Sequence, residues 1–331
     1  MFRQRVLITV LLLVSLLVPT VASAQGLPDF VTEIDTEDVM SHVRALSVAI
    51  GARPMGSESE VLAGDYIAAA FADWGYEVEF QPFETTPPAD GSEPAATSNV
   101  IATKPGGDQM LVVGAHMDSV TSATGAGDNA SGVAAMLAAA EALKDLPLDY
   151  TVVFVAFAAE EGGSPSGADT FVESLGDQID NVVAMINLDS VGVGTTLNAY
   201  AGAVITWPEE EDAAPTIEGG ETWVRDTALD LAAGMDLPFG TSPDDTWGGY
   251  TGDWSDHYPF VLAGVPILYF EAWQWDGAED PWWGQETADG DVMHTEMDYY
   301  KSVVPEKVEM TAELLAATVA TIASGQAGPA A

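Results

Sequence analysis

The 331-residue chain contains no cysteine, which excludes disulfide cross-links, a thiol nucleophile and any thiolate metal site. Histidine is nearly as scarce, since only His42, His116, His257 and His294 can offer an imidazole. Positive charge is scarce too: nine lysines and arginines stand against 52 acidic residues, a formal net charge of −43. So acidic a chain has no basic surface with which to hold phosphates, which excludes nucleic acid as a partner. The surplus acid reads as adaptation to high salt, where ions screen self-repulsion. Apolar runs long enough to span a bilayer are missing as well. The run Val6–Val18 has thirteen residues, against the roughly 20 of a membrane helix. It follows Arg3 and Arg5 and precedes Ala22-Ser23-Ala24, the pattern of a cleaved signal peptide over residues 1–24. Residues 25–331 are then expected to form a single secreted domain, extracellular or periplasmic, with no stable membrane insertion. No cysteine follows the leader, so a lipid anchor is excluded.

What is present is an alternation of short apolar runs and helix-like segments. Met110–Ala115, Val152–Phe157 and Val182–Ile186 read as strands buried on both faces, and Val265–Phe270 as a late core strand. Tyr76–Phe83 alternates as an edge strand, and Asn99–Thr103 is a further strand. Helices are expected over 35–50, 57–74, 131–143, 167–175, 222–233 and 303–322, with Gly75 closing the second. Segment 84–98 reads as a Pro/Ser loop and 207–221 as a mobile acidic segment. The pattern predicts an α/β fold: a doubly wound, mostly parallel central sheet flanked by helices.

Chemistry-bearing residues follow those strands. His116 ends the first run, Glu160 and Glu161 come just after the second, and Asp189 just after the third. In open α/β sheets ligands gather at the carboxyl ends of the strands. Asp128 lies twelve residues past His116, and His294 near the end. A pair of zinc ions needs about five nitrogen and oxygen donors, one of them bridging. His116, Asp128, Glu161, Asp189 and His294 supply that number, and Glu160 remains as a carboxylate able to act as a base. Asp118, two residues past His116, is placed to orient its imidazole. Taken singly each has a plainer reading: Asp128 as the cap of the helix over 131–143, Glu160 and Glu161 as a solvated strand end, and His116 or Asp189 as an ordinary loop residue. His42 is expected on a helix surface. His257 reads as a structural neighbour of the site or a substrate contact. Trp247, Trp254, Trp273, Trp275, Trp282 and Trp283 are candidates for a pocket lining or for ordinary packing.

The segments GAHMDS (114–119), GAGDNASGVAA (125–135), AFAAEEGG (156–163), INLDSVG (186–192), SDHYPFVLAGVP (255–266) and VMHTEMD (292–298) resemble the dizinc aminopeptidase family typified by bacterial leucyl aminopeptidase. The likeness runs from about Leu46, through ARPMGS (52–57), to the final helix. The stretches YFEAW (269–273) and VMHTE (292–296) resemble the alkaline phosphatase isozyme-conversion branch. The resemblance implies two Zn2+ per chain: His116 and Asp189 on one, Glu161 and His294 on the other, Asp128 bridging. It makes Glu160 the general base, Asp118 the partner of His116, a metal-bridging hydroxide the nucleophile, and peptides with a free N-terminus the substrates. It also implies a cis peptide at Asp128–Asn129. One departure stands out: Met293 occupies the position where some members carry an oxyanion-stabilising tyrosine. A single-zinc glutaminyl cyclase, a carboxypeptidase or a non-catalytic binding protein on the same scaffold are the competing expectations. The full donor set argues against the first and last, and the shortage of arginines against the second. The preferred first residue and the oligomeric state are not legible.

Overall fold

The computed structural model describes residues 34–329 except 86–93, 163–164, 209–213, 245, 276–283 and 288–289. The expected leader, Trp282 and Trp283 lie outside the described residues. The chain opens with helix α1 (Thr36–Arg44), whose first turn is capped by the Asp35 side chain accepting from the Asp38 amide. Helix α2 (Glu58–Asp73) is capped in the same way by Ser57 and stops at Gly75, whose φ of +84° only glycine adopts without cost.

Among the described residues twelve strands follow in chain order: β1 (Glu77–Glu84), β2 (Ala96–Lys104), β3 (Gly107–His116), β4 (Tyr150–Phe157), β5 (Val182–Leu188), β6 (Thr196–Ala201), β7 (Ala203–Thr206), β8 (Thr216–Gly219), β9 (Phe239–Gly240), β10 (Ile267–Trp273), β11 (Glu286–Thr287) and β12 (Gly290–Asp291). Eight form one sheet in the order β1-β2-β4-β3-β5-β10-β6-β9. Its centre, β4-β3-β5-β10, is parallel, with antiparallel pairings at β1-β2, β2-β4 and β10-β6. The remaining helices are α3 (Gly132–Leu143), α4 (Ser166–Leu175), α5 (Trp223–Gly234), α6 (Tyr258–Leu262) and α7 (Pro305–Ala323).

Period-two alternation divides the side chains between two cores. From β4, Val152, Phe154 and Ala156 enter the core shared with α1, α2, α3, α5 and α7. Val153, Val155 and Phe157 enter the one shared with α4 and α6. This is the doubly wound arrangement that the continuous apolar runs imply. Helix α3 is buried on nearly every side, as a helix apolar all round must be. Two expectations need correction. Part of the segment read as mobile, Thr216–Gly219, pairs as strand β8 with β7, and the loop read over 84–98 ends at Ala96, where β2 begins. Among the described residues no helix is long and apolar enough to cross a membrane.

Candidate metal centre

Parallel strands deliver their carboxyl ends to one edge of the sheet, and the candidate residues meet there. His116 is the last residue of β3 and pairs in register with Phe157 of β4. Glu160 and Glu161 follow β4 by three and four residues, and Asp189 follows Leu188 of β5 directly. Asp128 precedes α3, and His294 arrives from the segment before α7.

The geometry is two-fold around Asp128. Its Oδ1 lies 3.1 Å from His116 Nε2, which in turn is 3.4 Å from Asp189 Oδ1. Its Oδ2 lies 3.2 Å from His294 Nε2, which is 3.1 Å from Glu161 Oε2. Donors bound to one tetrahedral zinc at about 2.0–2.1 Å sit roughly 3.3 Å from each other. The two edges that run from the histidine in each triad have that length. Across the two triads, His116, Asp128 and Glu161 each offer a donor atom within 4.8 Å of the others. Glu161 Oε1 is buried without a hydrogen-bond partner, as a donor oxygen awaiting a cation would be. The residue types, oxygen and nitrogen without sulfur, also suit zinc.

Electrostatics agree. Burial, and then Glu161 and Asp189, push the Glu160 carboxyl well above the usual carboxylate range, against His116. Burial and Asp128 push Glu161 up to about 7. Hydrogen bonds to Asp128 and Glu161 push His294 up to about 11. Carboxylates crowded this closely demand compensating positive charge.

Several residues that carry no metal-type signal of their own hold the constellation. Asp118 spends both oxygens on the loop after β4, accepting from the Glu160 and Glu161 amides at 3.1 Å each. Its Oδ1 stands 3.4 Å from His116 Nδ1, so one carboxylate lies between the imidazole and the loop that carries Glu160 and Glu161. Asp298 accepts from the amides of Gly127 (2.6 Å) and Asp128 (3.1 Å). Ser255 donates to Asp189 Oδ2 at 2.8 Å and accepts from Asn187. The cap of α3 is not Asp128: Asn129 Oδ1 accepts from the Gly132 and Ser190 amides, which leaves the Asp128 carboxylate free to face the imidazoles. The Asp128–Asn129 peptide is cis. Three non-glycine residues with left-handed backbone flank or belong to the cluster: Ala159 (φ 60°), Ser190 (φ 52°) and His294 (φ 57°). Such conformations persist only where surroundings enforce them. At Ala159 the enforcing group is Glu60, buried, whose Oε1 accepts the Ala159 amide.

Glu160 lines a pocket of about 200 Å³ beside Asp128, Glu161, Asp189 and His294, together with Trp247, Trp254, Trp273, Trp275 and Met293. His257 is fully buried, with Nε2 2.9 Å from the Gly252 carbonyl, and is not one of the pocket's lining residues. His42 is half-buried rather than a free surface residue, its Nδ1 2.6 Å from Tyr66 Oη. Of the residues with structural roles at the site, Asn129, Asn187, Ser255 and Asp298 fall inside the quoted motifs. Glu60 carries no such signal, because its partner, the Ala159 amide, lies 99 residues away.

The alkaline phosphatase isozyme conversion protein of Escherichia coli (strain K12) is 27% identical over 260 residues, 71% of this chain and 72% of that one. Leupeptin-inactivating enzyme 1 of Streptomyces exfoliatus is 31% identical over 257 residues, 75% of this chain but only 50% of that protein. Among solved structures, the aminopeptidase from Aneurinibacillus sp. strain AM-1 superposes with a TM-score of 0.68 at 21% identity, covering 91% of this chain and 96% of that one. The glutaminyl cyclase of Porphyromonas gingivalis superposes with a TM-score of 0.67 at 21% identity, covering 86% and 98%. At such identities the structures speak for the fold, which both chemistries share. The family model does more: that of peptidase family M28 matches residues 99–319, taking in His116, Asp128, Glu160, Glu161, Asp189 and His294, and the chain belongs to that family.

Proposed function

We propose that this member of family M28 is a secreted dizinc aminopeptidase that removes the first residue of peptides with a free N-terminus. Residues 1–24 are its signal peptide and 25–331 its single catalytic domain. The observation that carries the reading is the division of Asp128. Its two oxygens face two separate histidine–carboxylate pairs at tetrahedral edge distances. His116 and Asp189 would hold one zinc, Glu161 and His294 the other, with Asp128 shared.

Bound there, zinc polarises a peptide carbonyl and brings the pKa of water down toward neutrality. The chain's own residues supply the rest. Glu160, fixed through its amide by Asp118, lines the pocket beside the donors and spends no oxygen on the two triads. It accepts the proton of the attacking water and returns it to the departing amine. The tryptophans keep water from the pocket and strengthen each electrostatic contact within it. The −43 charge adapts the same enzyme to high salt.

Metal analysis of the purified protein, after reconstitution and removal of loose ions, should give close to two zinc ions per chain, and chelators should abolish peptide hydrolysis. Glu160→Gln should keep both ions while kcat falls by about 10²–10⁴, the usual worth of a general base. A variant that loses metal but keeps turnover would reverse the assignment of base and donor. The fold shared with a glutaminyl cyclase defines the second reading: one firmly bound ion, with no amino acid released from any peptide, would establish it instead.

A further inference from the structure

The loop that carries Glu160 is held amide by amide by side chains. Ala158 donates to Asn99 Oδ1 at 3.0 Å and Ala159 to Glu60 Oε1 at 3.2 Å. Glu160 and Glu161 donate to the two oxygens of Asp118 at 3.1 Å each. Four successive amides therefore end on three fully buried side chains, drawn from β2, α2 and the segment after β3. Asp118 also stands beside His116, so it serves donor and base together. Glu60 differs. Its Oε2 accepts from the Gly56 amide at 2.6 Å and the Thr97 hydroxyl at 2.7 Å, which fixes the side chain to the start of α2 and to β2. It is not among the residues lining the pocket in front of the donors, and it borders a separate cavity with Val61, Phe80 and Met117.

The amide that Glu60 holds is the one that matters for aim. Ala159 has a φ of 60°, a left-handed conformation that a residue with a Cβ avoids when free. That dihedral sets the direction in which the chain leaves β4, and so where the next side chain points. Glu161 has a second anchor, since its Oε2 meets His294 Nε2 at 3.1 Å. Glu160 spends no oxygen on either triad, so its aim rests on the backbone beneath it. Glu160 and Glu161 also repel each other, and a loosened loop would let them part. A reacting group displaced by about 1 Å can lose about 10²-fold in rate.

We propose that Glu60 is a positioning residue for peptide hydrolysis: it holds Ala159 in the left-handed conformation that aims the Glu160 carboxylate at the attacking water, and it takes no part in binding zinc or substrate. This rests on the aminopeptidase reading above and deepens it. The competing role is a general support of the whole centre, whose loss would weaken zinc binding and turnover together.

The test is Glu60→Gln, zinc-loaded and assayed on leucyl- and lysyl-p-nitroanilide. Two donors face Oε2 and one faces Oε1, so the glutamine oxygen stays with Gly56 and Thr97 and its NH2 group opposes the Ala159 amide. Glu60→Gln should lower kcat about 10- to 100-fold. KM, and zinc affinity measured with a chromophoric chelator, should stay within about threefold of wild type. Ala159→Gly supplies the second readout, because glycine adopts a positive φ freely. In the Ala159→Gly background the change Glu60→Gln should cost kcat at least about threefold less than in wild type, a coupling that a general support would not produce. An unchanged kcat in Glu60→Gln overturns the proposal. So does a fall in kcat matched by an equal fall in zinc affinity, or an equal cost in the alanine and glycine backgrounds. Should Glu60→Gln fail to fold, Thr97→Val takes one donor from Oε2 and leaves the carboxylate in place. It should lower kcat about fivefold, the worth of one hydrogen bond, with zinc affinity unchanged, and an unaltered kcat there overturns the proposal. A zinc-loaded wild type that cleaves neither substrate fails the aminopeptidase reading instead.

Discussion

Asp298 shows how much of the candidate metal centre is held by residues outside the donor set. Its carboxylate grips two successive amides, Gly127 and Asp128, and so sets where the shared donor sits. Asp298→Ala should weaken zinc binding about 10- to 100-fold, the usual effect of removing an outer support of a ligand. Competition with a chromophoric chelator measures this. Asp298→Asn, which keeps one oxygen acceptor, should lose less, and equal zinc affinity in wild type and the alanine variant would show that the loop holds itself. The candidate donors and the candidate base stood out in the sequence because zinc accepts few residue types and His116, Glu160, Glu161 and Asp189 follow apolar runs. Glu60, Asn129 and Asp298 were not assigned these tasks. Each works by accepting a backbone amide, any aspartate, asparagine or glutamate can do so, and only the fold decides which amide is near.

Elements show the same division. Strands β3, β4 and β5 were legible because strands buried on both faces must be continuously apolar. Strand β6 was not. Its sequence TLNAYA is short and carries a buried asparagine, Asn198, whose Nδ2 donates to the Thr196 and Trp273 carbonyls. Strand β8 has four mostly exposed residues, and nothing apolar announces it. The start of α3 yields a prediction at this scale. Gly132 has ordinary helical dihedrals (φ −64°, ψ −44°), so alanine there would normally add about 1 kcal/mol of helix propensity. Here a Cβ would stand 2.3 Å from Asn129 Oδ1 and 2.7 Å from the Leu188 carbonyl. The first atom is the cap of α3 and the second belongs to the strand that delivers Asp189. Gly132→Ala should therefore destabilise by about 1–3 kcal/mol, as overpacking does, with a lower Tm and weaker zinc binding. A thermal melt with a Tm at or above that of the wild type would show that the two elements part freely.

At the scale of the whole molecule the governing quantity is charge, and the few cations do little to offset it. Arg53 is fully buried and donates to five backbone carbonyls, those of Leu46, Gly51, Met117, Thr124 and Gly125. Lys104 and Lys307 also donate to carbonyls. These side chains fasten loops and helix ends, and only two lysine or arginine pairs with carboxylates form among the described residues. Most of the net charge of −43 is therefore left without a paired cation, and the folded chain concentrates repulsion that the extended chain dilutes. Salt screens it, with a Debye length of about 10 Å at 0.1 M and about 3 Å at 1 M. The zinc-loaded protein should show a Tm that climbs as sodium chloride is raised from dilute buffer to molar concentration. The site itself is buried and its contacts are short, so screening reaches it little, and kcat/KM on a norleucyl substrate should hold across that range. On a lysyl substrate kcat/KM should fall with salt, because the acidic surface no longer steers the cation inward. A Tm indifferent to salt would remove the high-salt adaptation and leave the charge as a matter of solubility. A lysyl rate indifferent to salt would place the attraction within the short contacts of the pocket, leaving none to the long-range field of the surface.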